Sequence, residues 1–204
     1  IYHALFASDY GTLGFNGSYT DSYGRVHYGV FTNAHVAPAG KKMKISALKT
    51  VGTTLFSYAG GSLDVAFVEF DSGWNLTDKM LSESDTNSIY CSATADEFYE
   101  GALTNKYGAK TGKQSGKILS TSITVQVDYD DITKTITDVF EFSNKTEGGD
   151  SGGPVGKQQV RQVFKLYGIT FAGPENSNEC GYGIKLSNIK KAYNIKVYGT
   201  NGWS

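Results

Sequence analysis

Proline is scarce in this chain: three residues in 204, beside two cysteines, two tryptophans and three histidines. That scarcity, with no internal repeat or biased tract, leaves no linker-like composition. Two cysteines and three separated histidines give no zinc-ligand spacing, so neither a metal nor another cofactor is expected. So few cysteines do not settle the redox compartment. Net charge is close to nil, at −1. A chain that neutral has no electrostatic argument for nucleic acid or an anionic membrane. Its densest lysine runs, "GKKMK" (40–44) and "IKKAYNIK" (189–196), read as solvated surface. No apolar segment reaches the roughly 20 residues of a membrane span. No signal peptide is visible, and Ile1 reads as lying inside the fold, so a mature or trimmed form is expected.

What is present is β-forming. The chain has 14 tyrosines, 11 phenylalanines and 25 glycines. Short alternating runs recur: "RVHYGVFT" (25–32), "KMKISAL" (42–48), "DVAFVEF" (64–70), "GKILSTSITVQVDY" (116–129), "ITDVFEFS" (136–143) and "FKLYGITFAG" (164–173). Turn chemistry separates them, as in "DSYG", "YAGG" and "GPENSNECGYG". Many short strands at this spacing predict an all-β sandwich or barrel pair sharing one core. The one expected helix is "LSNIKKAYNI" (186–195), with Ser187 as its cap and Ile189, Ala192 and Tyr193 on one face.

One stretch asks for chemistry: "KTEGGDSGGPVG", residues 145–156. A serine set among glycines suggests a backbone shaped around one hydroxyl. A nucleophilic serine needs a base, and the base needs a group to orient it. Of the histidines, His3 is near the start and His27 sits within an alternating strand. His35 lies in "FTNAHVAPAG", where an apolar strand ends in a turn. Asp64 opens the apolar run "DVAFVEF", where a carboxylate is either exposed at the strand start or buried against a partner. The order His35, Asp64, Ser151 is the one chymotrypsin-type proteases use. In that arrangement Ser151 attacks, His35 takes and returns the proton, and Asp64 holds the imidazole. The backbone N–H groups of Gly149 and Ser151 would receive the oxyanion.

On these motifs the chain resembles the chymotrypsin-fold serine proteases, in the streptogrisin branch of small secreted microbial enzymes. "TLGFN" (12–16) is similar to the family's first strand, and "FTNAHV" to its histidine motif. "VGTTLFSYAGGSLDVAFVEF" (51–70) resembles the approach to its aspartate, and "NKYGAKTGKQSGKI" (105–118) its R-x-G-x-T-T-G-x-x-S-G motif. "EGGDSGGPV" resembles the serine loop, "LYGITFAG" the pocket strand and "KAYNIKVYG" the end. The resemblance implies two packed six-stranded antiparallel barrels with a short C-terminal helix. The barrels would fall roughly at 1–90 and 91–204 of a single peptidase unit. It also implies protein or peptide substrates, secretion to the cell exterior and a monomer.

Departures from the family are informative. Val36 stands where a cysteine usually follows the histidine, and Gly11 stands at that cysteine's partner position. The usual mate of Cys180 would fall near Lys145, so a Cys91–Cys180 bond stays open. Asn33 replaces a small residue beside His35. Asp150 is expected to pair with Lys106 rather than with Ile1, because "IYHALF" is unlike the start that activation cleavage generates. The primary pocket would be walled by Lys145, Thr146, Thr170, Phe171 and Ala172. If Lys145 points inward, acidic residues before the scissile bond are favoured; if outward, small or medium apolar ones, and the sequence leans to the second. A silent homologue acting as a binding module, and a serine esterase, are the alternatives to a peptidase. Asn16, Asn75 and Asn144 open glycosylation sequons.

Overall fold

The computed structural model of the protein describes residues 3–6, 9–46, 49–79, 88–129, 132–159 and 163–204. Its strands are β1 (His3–Phe6), β2 (Asp9–Thr12), β3 (Phe15–Thr20), β4 (Val26–Thr32), β5 (Lys42–Ser46), β6 (Lys49–Gly60), β7 (Leu63–Phe70) and β8 (Ser88–Ser92). They continue as β9 (Leu103–Gly108), β10 (Gly112–Tyr129), β11 (Ile132–Phe142), β12 (Pro154–Gln158), β13 (Val163–Ala172), β14 (Gly181–Lys185), β15 (Ile195–Gly199) and β16 (Gly202–Trp203). The one α-helix is α1 (Leu186–Ala192).

Two sheets carry the fold. One runs β16-β15-β3-β4-β7-β6-β5, with the β1–β2 hairpin alongside β5. The other closes on itself as β9-β10-β11-β14-β13-β12, because β12 pairs with both β13 and β9. Here β8 adds a parallel edge outside β13. This is the two-barrel all-β architecture expected. β7 is buried along nearly its whole length, and its apolar run accordingly lies in the middle of its sheet. The main core is shared between the sheets: Phe31, Val65 and Phe67 from the first meet Tyr107, Phe164 and Ile169 from the second.

The C-terminal segment departs from expectation in three ways. The helix ends at Ala192, because Ile195 and Val197 are taken up by β15, opposite Tyr19 and Gly17 of β3. The residue at the helix start is Lys185, and Ser187 lies inside the first turn without capping it. Ala192 is exposed, and the inward face is formed by Leu186 and Ile189, with Tyr193 stacked 4.3 Å from Phe56. From the end of the chain, β15 and β16 complete the first sheet. Cys91 and Cys180 are both free thiols, so no bond joins them.

The long β10–β11 hairpin crosses from its own barrel to the other. The Thr137 backbone N–H donates to the Gly61 carbonyl at 2.8 Å, and Lys134 Nζ donates to the Ala59 carbonyl at 3.0 Å. Ala59 lies at the end of β6, opposite Asp64, and Gly61 in the turn that follows. The hairpin thus reaches the start of β7.

Phe31 tests the shared core. It is fully buried, with ring centres 4.7 Å from Phe15 and 4.8 Å from Phe67. Phe31→Ala is expected to remove about 3–5 kcal/mol of stability in urea unfolding; a loss under about 1 kcal/mol would contradict this packing.

Candidate active site

Asp64 is the second residue of β7 and its side chain has no exposure. An ionised carboxylate in that position must be surrounded by donors. The Ala34 backbone N–H donates to Oδ1 at 2.6 Å. His35 Nδ1 lies 2.7 Å from Oδ2, and the Tyr129 hydroxyl donates to the same oxygen at 2.8 Å. Because a carboxylate only accepts, the proton of that first pair sits on Nδ1, which leaves Nε2 of a neutral ring as an acceptor. Asn33 Nδ2 donates to the Asp64 carbonyl at 2.8 Å, so the unusual asparagine ties the strand of the acid to the turn of the histidine. That turn is closed by the Val36 and Ala37 N–H groups on the Asn33 carbonyl. It leaves the His35 side chain 30% exposed above its buried partner.

The serine loop is held from beneath. Asp150 and Lys106 are both fully buried, with Lys106 Nζ 2.5 Å from Asp150 Oδ2. Thr111 Oγ1 and the Glu147 N–H also donate to that oxygen, at 2.8 and 3.0 Å. The N–H groups of Lys110 and Thr111 take the other, each at 3.0 Å. Burial works to raise the Asp150 carboxyl, but the Lys106 hydrogen bond and these N–H groups outweigh it and hold the acid below its ordinary range. Burial draws the Lys106 ammonium downward, against the opposing pull of Asp150.

Above this anchor the backbone is drawn tight. Gly149 has φ +101°, and a Cβ there would lie 2.4 Å from the Tyr10 ring. Thr12 Oγ1 donates to the Gly149 carbonyl at 2.8 Å, and the Thr12 N–H donates to the Ser151 carbonyl at 2.7 Å. The N–H groups of Asp150, Gly152 and Gly153 are all engaged, with Glu147, Thr170 and Asp150. Those of Gly149 and Ser151 donate to no group among the described residues. The Ser151 hydroxyl donates to the Phe171 carbonyl at 3.4 Å. Gly11 joins the two halves of the site, since a Cβ there would lie 2.5 Å from the Val36 methyls and 3.1 Å from the Ser151 carbonyl. The two positions that lack the family's cysteines therefore face each other, and valine fills the space.

Beside Ser151 lies a cavity of about 640 Å³. Thr146 and Ala172 line it, as expected, together with Glu147, Gly148, Gly173 and Asn178. Three expected residues are elsewhere. Lys145 points outward, 44% exposed, with its ammonium 2.9 Å from Glu147. Phe171 packs into the shared core, and Thr170 is fully buried. Sequence reading missed Tyr129 and Thr12, whose hydroxyls serve carboxylate and carbonyl groups distant in the chain. Among the described residues no cluster could hold a metal ion.

The buried pair predicts an acid limit. Because the Asp150 pKa is lowered by folding, the stability it contributes is complete above about pH 4 and is lost as pH falls through the folded value. Lys106→Met leaves a buried carboxylate without its cation and is expected to cost about 3–5 kcal/mol. Urea unfolding at pH 7 checks this, and a Lys106→Met variant as stable as the parent would contradict it.

With this geometry established, comparison with known proteins places the chain. Thermobifida fusca Protease A is 22% identical, with a TM-score of 0.73 over 96% of this chain and 95% of that one. Nocardiopsis protease is 23% identical, with a TM-score of 0.71 over 95% of each chain. A glutamic acid specific serine protease, described as using a histidine triad in substrate binding, is 20% identical, with a TM-score of 0.71 over 96% and 97%. At such identities the likeness is one of fold. Comparison with curated proteins gives no match. The Trypsin family model matches residues 26–193, most of the chain, and the protein belongs to the trypsin family.

Proposed function

We propose that this protein is a serine endopeptidase that hydrolyses peptide bonds through an acyl-enzyme, with Ser151 as nucleophile, His35 as general base and Asp64 as its orienting acid. The observation that carries this reading is the pair of backbone N–H groups beside the serine hydroxyl, Gly149 and Ser151, which donate to no group among the described residues while those of Asp150, Gly152 and Gly153 are engaged. Donors held in that state await a charge that develops during reaction. Ser151 Oγ attacks the peptide carbonyl while its proton passes to His35 Nε2. The carbonyl oxygen gains the negative charge and rests on the two N–H groups. As the C–N bond breaks, His35 returns the proton to the leaving amine. Water then repeats the sequence on the acyl-enzyme, and His35 again accepts and returns a proton. Among the described residues no hydrogen bond joins Ser151 to His35, since the hydroxyl is on the Phe171 carbonyl; the reaction requires it to turn to Nε2, and catalytic hydrogen bonds commonly tighten when substrate binds. By its family likeness the enzyme acts outside the cell on proteins or peptides, as a monomer and without a cofactor.

The charges around the cavity support an uncharged residue before the scissile bond, and a small or medium apolar one stays the expectation from the sequence. Lys145, the cation expected to match an acidic side chain, is turned outward to Glu147. Glu147 and Glu175 at the cavity add negative charge, which works against an acidic substrate residue. Of the histidines whose side chains are described, neither faces the cavity as an acid-binding group: His35 is engaged with Asp64, and His27 lies between Glu69 and Asp21.

Ser151→Ala is expected to fold and to lose about a millionfold in kcat against casein-derived peptides. Activity retained near that of the parent in a clean preparation would refute the assignment. Labelling of the parent by a phosphonate without peptide cleavage would favour an esterase, and neither reaction a binding module. Among chromogenic peptides ending in Ala, Leu, Phe, Glu and Lys, the fastest is expected to end in Ala or Leu. A fastest substrate ending in Glu or Lys would overturn the pocket reading.

A further inference from the structure

Tyr129 closes the site from the opposite barrel. It is the last residue of β10, at the tip of the long hairpin. Its hydroxyl donates to Asp64 Oδ2 at 2.8 Å, and its ring meets the His35 ring edge-on, centres 5.8 Å apart at 61°. Among the described residues the other donors to that carboxylate, Ala34 and His35, both come from the turn after β4. Ala34 fixes Oδ1, and the two side chains share Oδ2. Remove the hydroxyl, and Oδ2 keeps the imidazole alone, so the carboxylate is held by two donors, both from the turn after β4, and loses the one from the other barrel.

The surroundings keep Tyr129 a donor. Burial, followed by the charge and hydrogen bond of Asp64, raises its pKa well above the ordinary tyrosine value, so the hydroxyl holds its proton. The groups facing it are Asp64 from β7, His35 from the turn after β4, and Lys134 from β11, whose ammonium lies 5.5 Å from the ring centre. Lys134 also pins the hairpin to the end of β6 through the Ala59 carbonyl. The same hairpin therefore carries both the anchor and the hydroxyl.

We propose that Tyr129 is a positioning residue: its hydroxyl fixes the Asp64 carboxylate against His35, so the acid–base pair is aligned only while the β10–β11 hairpin is docked on the first barrel. This rests on the serine peptidase reading. Two variants separate the hydroxyl from the ring. Tyr129→Phe keeps the ring and loses the donor; Tyr129→Gln keeps a donor and loses the ring. Measured on a chromogenic peptide, Tyr129→Phe is expected to lower kcat by about 10- to 100-fold with KM held within about twofold. Tyr129→Gln is expected to retain more of kcat than Tyr129→Phe, the reverse of what a packing role gives. A parent protein that neither cleaves peptide nor labels at Ser151 removes the peptidase reading itself. An active parent whose Tyr129→Phe variant stays within about twofold in kcat, or exceeds Tyr129→Gln, overturns the positioning role alone. Should Tyr129→Phe not fold, Lys134→Met tests the docking: a fall in kcat of about 2- to 10-fold at unchanged KM supports the proposal, and an unchanged kcat overturns it.

Discussion

A carboxylate with no route to water governs this molecule's arrangement. Asp64 has no exposure and sits within the most apolar strand of the first sheet. Its charge is tolerable only if donors converge on it, and those donors come from the turn after β4 and from the tip of β10. Burying the acid therefore requires the strand of the acid, the turn of the histidine and a hairpin of the other barrel to meet at one point. The alignment of His35 is a consequence of satisfying that charge.

The second buried carboxylate repeats the principle on the other side of the cleft. Asp150 gathers Lys106, Thr111 and three backbone N–H groups. Once its side chain is fixed, the backbone on either side has little freedom. Gly149 takes a positive φ that other residues resist, and Thr12 secures its carbonyl from above. The result is a loop in which, among the described residues, the Gly149 and Ser151 N–H groups beside the hydroxyl have no acceptor. Gly108 fits the same account, since a Cβ there would lie 2.1 Å from Asp150 Oδ1.

Much of this was legible in the residues. Alternation identified the strands, and an aspartate heading an apolar run left exposure or burial against a partner open, of which the structure shows burial. The resemblance of "NKYG" to the family's motif is what set Lys106 beside Asp150. What stayed hidden depended on side-chain direction and distant partners. Lys145 lies at the right place in the chain to enter the pocket, but Glu147 two residues on offers its ammonium a partner at the surface. Phe171 reads as pocket-lining by position, while the pleat of β13 turns it into the core. The end of α1 was misplaced because the free edge of β3 takes Ile195 into a strand. Tyr129 carries no local signal, since a tyrosine closing an alternating run before two aspartates looks like any hairpin tip.

The most direct test is a crystal structure of the protein with a peptide boronate of an Ala- or Leu-ending substrate. The account predicts a tetrahedral adduct on Ser151 Oγ, with one boronate oxygen within hydrogen-bond reach of the Gly149 and Ser151 N–H groups and His35 still paired with Asp64. An inhibited enzyme whose boronate is bound elsewhere, or whose adduct leaves both N–H groups without an acceptor, would contradict it.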